Sequence, residues 1–322
     1  MTATALRPRS LDPGRRYEAD LRGLLHPGLP FYTIALLPLF WALGLGFFTF
    51  AIAAVPMGFG LLVMKPIRVP RGMGLWFLFV GWMLASAAML EPSATRFLSF
   101  GLRAMIYIGA TIIFLYVYNC PQRYLPTSRI LGVVGWLFLF TAVVGGYLGL
   151  AFGEVSFPTP AWSVLPGSIR DNSFVASVFR PPFAQTQDFL GFALNRPAMP
   201  FSFTNDWGAT LVPASFLAIA AAGHIRRGQR LVPLVALVAA VPMIVSANRG
   251  LWIALALGVV YVTIRRASSG QALMAIRLII VVLFMSAIVL VTPLGELVGS
   301  RTTSDHSFDA RSDIYTDVIE AV

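Results

Sequence analysis

The sequence predicts an all-α, polytopic helical membrane protein, and three observations predict it. Hydrophobic residues make up 57% of the 322 positions and charged residues 12%, with a mean hydropathy of +0.76. A soluble domain needs about 25% charged residues to cover its surface. Apolar runs near the 20 or so residues that cross about 30 Å of hydrocarbon recur along the chain. Lys and Arg gather in alternate connecting segments, as cytoplasmic loops require. The same composition excludes a disordered chain, a coiled coil and a disulfide scaffold, since Cys120 is the only cysteine. Strand-type alternation is absent, which makes an outer-membrane barrel a poor reading.

Residues 1–28 form a basic cytoplasmic tail, polar for too long to be a cleavable signal peptide. Two readings of it are open: contact with anionic headgroups, or a solvated extension. Residues 29–152 carry transmembrane helices 1–5, near 31–46, 48–64, 73–90, 104–119 and 131–151. Residues 153–206 form a long external loop with seven prolines, of a length that is functional or disordered. Residues 207–293 carry helices 6–9, near 207–223, 231–247, 251–264 and 277–293, giving about nine spans. Residues 294–322 begin a second external loop that turns into an amphipathic helix. With the N-terminus in the cytoplasm, the inner segments hold sixteen of the 24 basic residues and the outer ones eleven of the 14 acidic residues. The net charge of +10 is therefore read as topology, with no nucleic acid implied. No internal repeat of the kind that favours a secondary transporter is visible. Cysteine labelling is expected to find 224–230 and 265–277 inside and 153–206 outside; external access to 224–230 would overturn this sidedness.

Ser246-Ala-Asn-Arg-Gly-Leu-Trp252 is the most informative stretch. Arg230 and Arg265 both belong to inner loops, which leaves 34 residues to go out and return. That is about 51 Å of helix against about 60 Å for two full crossings. The tip carrying Arg249 therefore lies at or below the depth of lipid phosphates, where an unpaired arginine is costly. Its planar fork suits bidentate phosphate binding, and Gly250 permits close backbone approach. A positive anchor snorkelling to the interface is the equal alternative.

Farther on, Phe308, Tyr315 and Val322 recur every seven residues, and Arg311 falls on that apolar stripe. Asp305, Asp309, Asp313 and Asp317 run along another face, read as a solvated acidic face rather than a metal site. His306 reads as an exposed loop histidine rather than a base. Thr204, Asn205 and Asp206 read as helix caps and Trp207 as an interface anchor, while Arg196 is a weaker anion-binding candidate. Glu91 and Glu296 simply adjoin span ends. No Walker loop, dinucleotide fingerprint, metal-ligand spacing or nucleophile elbow occurs, so no metal and no cofactor is expected.

The chain resembles the O-antigen ligase and polymerase superfamily, integral-membrane glycosyltransferases that use polyprenyl-diphosphate-linked glycans. The resemblance rests on Ser246–Gly250 matching a Ser-x-x-Arg-Gly pattern at a span start, on Arg311-x-x-x-Tyr315, and on Phe203-Thr-Asn-Asp-Trp-Gly208. With the topology it covers roughly residues 30–322. It implies that Arg249 and Arg311 hold the donor's diphosphate, with Arg196 a further candidate. It also implies that a histidine activates the acceptor hydroxyl. His306 precedes Arg311, where the family's histidine follows it, so the catalytic histidine is expected beyond Val322, in a chain truncated within the amphipathic helix. The implied partners are a polyprenyl-diphosphate-linked glycan, an acceptor glycan or glycolipid, and membrane lipids. The implied place is the plasma (inner) membrane, in cell-envelope polysaccharide biosynthesis. The rival is a transporter or flippase for an anionic or lipid-linked substrate. Spans nearly free of internal charge, with the unusual arginines at one face, weigh against it.

Overall fold

The computed structural model of the chain describes residues 28–63, 66–122, 124–188, 193–223 and 226–273, with isolated positions between 276 and 299. The basic tail, most of the span expected at 277–293, and the stretch with His306, Arg311, Tyr315 and the acidic ladder lie outside the described residues. The protein is mostly helical, with one two-stranded sheet among the described residues. Among the described residues, four helical stretches are long and apolar enough to cross a membrane: Gly46–Val63, Arg96–Asn119, Thr127–Phe152 and Arg249–Ser268. Met73–Met89 and Arg230–Val245 are shorter apolar helices.

The first expected span, 31–46, is not one helix. It is split into α1 (Leu29–Ala35) and α2 (Leu37–Ala42). Pro38 has no N–H to continue the hydrogen-bond ladder to Ile34. The chain then turns at Leu43–Leu45, where Leu45 N donates to Phe40 O at 2.7 Å and Gly44 takes a φ of +79°. Thirteen helical residues in two pieces reach about 20 Å, short of the bilayer core. Apolar composition predicts a span here, but Pro–Gly punctuation splits the segment into two short helices.

The chain divides into two compact units. The first comprises residues up to Leu36 and Phe48–Ile130. Here α3 (Thr49–Val63) lies against α5 (Ala94–Asn119) around the buried Met57, Leu61 and Tyr116. Between them in sequence, α4 (Met73–Ala85) is tied to α5 by a bond from Trp76 Nε1 to Thr111 Oγ1 of 2.8 Å. Asn119 closes the end of α5: its Oδ1 accepts from Arg68 N at 2.7 Å and its Nδ2 donates to Arg68 O at 2.8 Å. The helix expected to start at 104 starts ten residues earlier and takes in Arg96 and Arg103. Long arginine stems near a helix end carry their charge to water without ending the helix.

The second unit comprises Leu37–Phe47 and the residues from Leu131 onward. Its first long element runs through α6 (Thr127–Leu139), a π-helical segment (Phe140–Gly145) and α7 (Gly146–Phe152). The stretch expected to be an external loop is built rather than irregular. It folds into α8 (Pro160–Val164), α9 (Gly167–Arg170), α10 (Ser173–Phe179) and a hairpin of β1 (Ala184–Asp188) and β2 (Ala193–Pro197). Leu37–Phe47 packs against it: Trp41 meets Phe157 and Phe183 edge-on at 5.5 and 5.3 Å, and Ala161 N donates to Leu43 O at 3.0 Å. Thereafter come α11 (Thr204–Gly223), α12 (Arg226–Val245) and α13 (Arg249–Ser268). Phe138, Ala142, Trp207, Leu211, Ala214, Ala239 and Leu251 form the core between these helices.

Trp207, expected as an interface anchor, is instead fully buried, and its Nε1 donates to Thr141 O at 3.1 Å inside the π-helical segment. A π turn leaves carbonyls poorly matched to the α ladder, and the indole supplies a donor there. Trp207→Phe is expected to lower stability by about 1–2 kcal/mol through that orphaned carbonyl, measured by thermal unfolding in detergent. An unchanged melting temperature would contradict the assignment.

Candidate functional site

Four segments of the second unit meet at the end of the β hairpin: β1, β2, the start of α11, and the turn between α12 and α13. Antiparallel pairing puts Gln185 opposite Arg196. Arg196 is 6% exposed, and its Nε donates to Ser246 O at 2.6 Å across 50 residues of sequence. Its NH1 donates to Gln187 Oε1 on the neighbouring strand. Both of these bonds run to neutral oxygens and orient the guanidinium. Arg196, expected as a weaker anion binder, is thus placed as a strut between the hairpin and the α12–α13 turn.

The start of α11 is locked to the same hairpin. Thr204 N donates to Gln185 Oε1 at 3.0 Å, and Thr204 Oγ1 donates to Arg196 O at 3.0 Å. The expected capping by Thr204 is therefore corrected: the hydroxyl serves β2, and a glutamine from β1 satisfies the helix's first N–H. Sequence offers no signal for this, because the cap comes from 19 residues away. Asp206 sits in the first turn of α11. Partial desolvation holds its carboxyl above the usual carboxylate range, although the residue keeps an exposed edge.

The Ser246–Gly250 motif is the turn itself. Ser246 is buried, gives its carbonyl to Arg196 and donates its Oγ to Met243 O at 2.8 Å. Ala247 is buried at a φ of 48°, a left-handed conformation that costs a non-glycine residue about 1 kcal/mol or more. Asn248 caps α13, its Oδ1 accepting from Leu251 N at 3.1 Å, and its Nδ2 donates to Thr204 O at 3.4 Å. An asparagine just before a helical apolar run is a legible N-cap, and it is the residue of this site that sequence reasoning passed over. Trp252 Nε1 reaches back to Met243 O at 3.1 Å and closes the turn.

Arg249 is the first residue of α13 and is part-exposed; Arg265 and Arg266 occupy the last turn. Sixteen residues of helix separate Arg249 from Arg265, about 24 Å. The two ends of this apolar helix are thus each marked by arginine. A side chain added at Gly250 meets little, the nearest atom being Asn248 Oδ1 at 3.3 Å, so the first turn of α13 is approachable there. Gly208 is the opposite case. A Cβ there comes within 2.3 Å of Asn248 Nδ2, so α11 and the turn approach as closely as they do only because residue 208 is glycine. Gly208→Ala is expected to displace Asn248, uncap α13 and cost about 1–3 kcal/mol in thermal unfolding. An unperturbed melt would mean that the turn accommodates the methyl freely.

Two helix N-termini, α11 and α13, thus converge beside a buried arginine and a part-exposed one. Helix N-termini carry partial positive charge, and here Gln185 and Asn248 supply acceptors to Thr204 N and Leu251 N while Asp206 lies in the first turn of α11. No group of three or more His, Cys, Asp or Glu able to hold a metal occurs among the described residues. A second feature lies along the helices. Trp136, Leu139, Phe140, Val143 and Val144 of the π-helical region and Leu234, Val235 and Val238 of α12 line an apolar cleft of about 370 Å³. Trp136, Leu139, Val144 and Leu234 are exposed, so the cleft opens outward at the helix surface.

The fold and this site define a helical protein whose apolar helices are long enough to cross a membrane, with Arg249 at the first position of α13. The chain matches no protein-family model, no curated protein and no solved structure.

Proposed function

We propose that the protein is a membrane glycosyltransferase that moves a glycan from a polyprenyl-diphosphate donor to an acceptor hydroxyl at the outer face of the plasma membrane. The observation that carries this reading is Arg249 at the first position of α13, on a turn held by Arg196, Asn248 and Thr204. Displacing a prenyl diphosphate puts negative charge on the leaving group. A rigidly placed arginine at a helix N-terminus stabilises that charge with little reorganisation. Arg249 is the diphosphate-holding residue and Arg196 the group that positions its turn. Arg311, on the stripe with Tyr315, is proposed as the second arm. The apolar cleft beside the π-helical segment gives the prenyl chain a route out to lipid, and the folded segment 153–206 gives the glycan a cover. Further spans beside the four long apolar helices, and a cytoplasmic N-terminus, complete the proposal.

The reading is tested with a bulky group in the cleft. Val235→Trp in the full-length protein is expected to slow transfer from a long-chain prenyl donor by about tenfold while leaving a short-chain, detergent-soluble donor near normal. Equal effects on both donors would remove the cleft from the account.

A further inference from the structure

Outside the site above, α8–α10 carry a second basic cluster that the proposed transfer reaction does not use. Trp162 lies between two arginines, with the guanidinium carbons of Arg170 and Arg180 at 5.9 and 5.4 Å from its ring centroid. Each guanidinium spends one NH2 on its own chain: Arg170 on Ser163 O at 2.8 Å, Arg180 on Ser156 Oγ at 3.4 Å. In both, Nε is buried with no hydrogen-bond partner. Two like charges held about one indole, bonded to neutral oxygens and short of acceptors, are incompletely compensated and call for an anion at their outer edges.

The surroundings select the kind of anion. Val164, two residues from Trp162, is 82% exposed, and Val155, Ile169 and Phe174 are exposed as well. A free phosphate or an acidic sugar gains nothing from these aliphatic and aromatic surfaces. A lipid headgroup layer satisfies both sets at once, the phosphate taking the arginines and the acyl boundary taking the apolar side chains. Tryptophan and arginine are also the residues suited to that depth. The cluster is held rigidly enough to act as a seat: Thr159 Oγ1 caps α8 by accepting from Trp162 N and donates to Phe179 O at 2.6 Å, and Ala161 N is tied to Leu43 O.

We propose that Trp162, Arg170 and Arg180 form a phospholipid-headgroup site that seats α8–α10 on the membrane surface, with Val164 and Phe174 entering the acyl boundary. This does not depend on the glycosyltransferase reading. The experiment uses the full-length chain with Cys120→Ser and Val164→Cys, a nitroxide label at 164, in nanodiscs of phosphatidylcholine with a minority of phosphatidylglycerol. The label is expected to be relaxed by oxygen in preference to a water-soluble nickel chelate. Phosphatidylglycerol retained after detergent extraction, counted by native mass spectrometry, is expected to fall about thirtyfold in Arg170→Gln/Arg180→Gln. That follows from about fivefold for each basic side chain at an anionic surface. The conservative pair Arg170→Lys/Arg180→Lys, which keeps the charge and so guards against a misfolded glutamine pair, is expected to retain phosphatidylglycerol several-fold less well than wild type. A label reached by nickel, or sealed from both relaxants as in a protein contact, overturns the proposal. So does phosphatidylglycerol retention unchanged in the lysine pair, or displacement of the lipid by inorganic phosphate at similar concentration.

Discussion

Arg249→Lys is expected to reduce glycan transfer by about a hundredfold or more while leaving the melting temperature within a degree or two of wild type. The two halves of that expectation have separate causes. Arg249 is part-exposed at the head of α13 and lies outside the buried core around Trp207 and Leu251, so a lysine there disturbs little packing. The α13 cap comes from Asn248 and is untouched. A lysine nevertheless replaces a planar two-pronged donor by a point charge, and the diphosphate loses its bidentate contact. Removing one pre-placed donor from a developing oxyanion costs about 10²–10³ in rate in enzymes where it has been isolated. Radiolabelled glycan transfer at matched membrane expression measures this. Near-normal transfer by the lysine variant would reduce Arg249 to an interface anchor.

Arg196→Met should behave in the reverse manner, with a large loss of stability and a loss of activity that follows from it. The side chain is buried, and its bond to Ser246 O satisfies a carbonyl on the buried side of the turn, where Ser246, Ala247 and Asn248 are buried. Methionine fills similar volume but leaves that carbonyl without its donor, at about 2–3 kcal/mol for a hydrogen bond to a charged group. Ala247 sits next in sequence in a left-handed conformation, which persists only while its neighbours hold it. Releasing Ser246 therefore lets the turn relax and moves Arg249. Thermal unfolding is expected to fall markedly, and Arg196→Lys, which keeps one donor, to fall between the two. The double variant Arg196→Met/Arg249→Lys should be no less active than Arg249→Lys alone beyond its loss of folded protein, since both act on one element. Wild-type stability in Arg196→Met would dissolve the strut.

Much of the architecture was legible because helix formation in an apolar chain is a local matter. Composition and run length located α3, α6–α7, α11, α12 and α13 to within a few residues and α5 only at its end, while the expectation of a short hairpin around Arg249 is corrected: α12 and α13 are 20 residues each and take the flanking arginines into the helices. What was not legible depends on partners distant in sequence. The break between α1 and α2 is the local exception, where Pro38 outweighs hydropathy. The order in 153–206 is created by packing on Leu37–Phe47, which no window of that segment contains. Trp207 was read as an anchor because its neighbours are polar, yet the donor-hungry π turn at Thr141, 66 residues away, draws it inward. At the site, Arg249 stands out in the sequence as an arginine between two apolar runs, and Arg196 as a lone charge near a span start. The reason Arg196 matters lies in a carbonyl 50 residues on, which periodicity and motif spacing do not encode.

The central claim is that the site at the head of α13 breaks a glycan–diphosphate bond rather than passing an intact lipid-linked substrate across the membrane. The most direct measurement follows one donor molecule, labelled on both the glycan and the prenyl diphosphate, in proteoliposomes containing the full-length protein and an acceptor. The account predicts free prenyl diphosphate and acceptor-linked glycan in equal amounts, both lost with Arg249→Lys. Intact donor reappearing on the opposite leaflet, with no prenyl diphosphate released, would contradict it and make the protein a flippase.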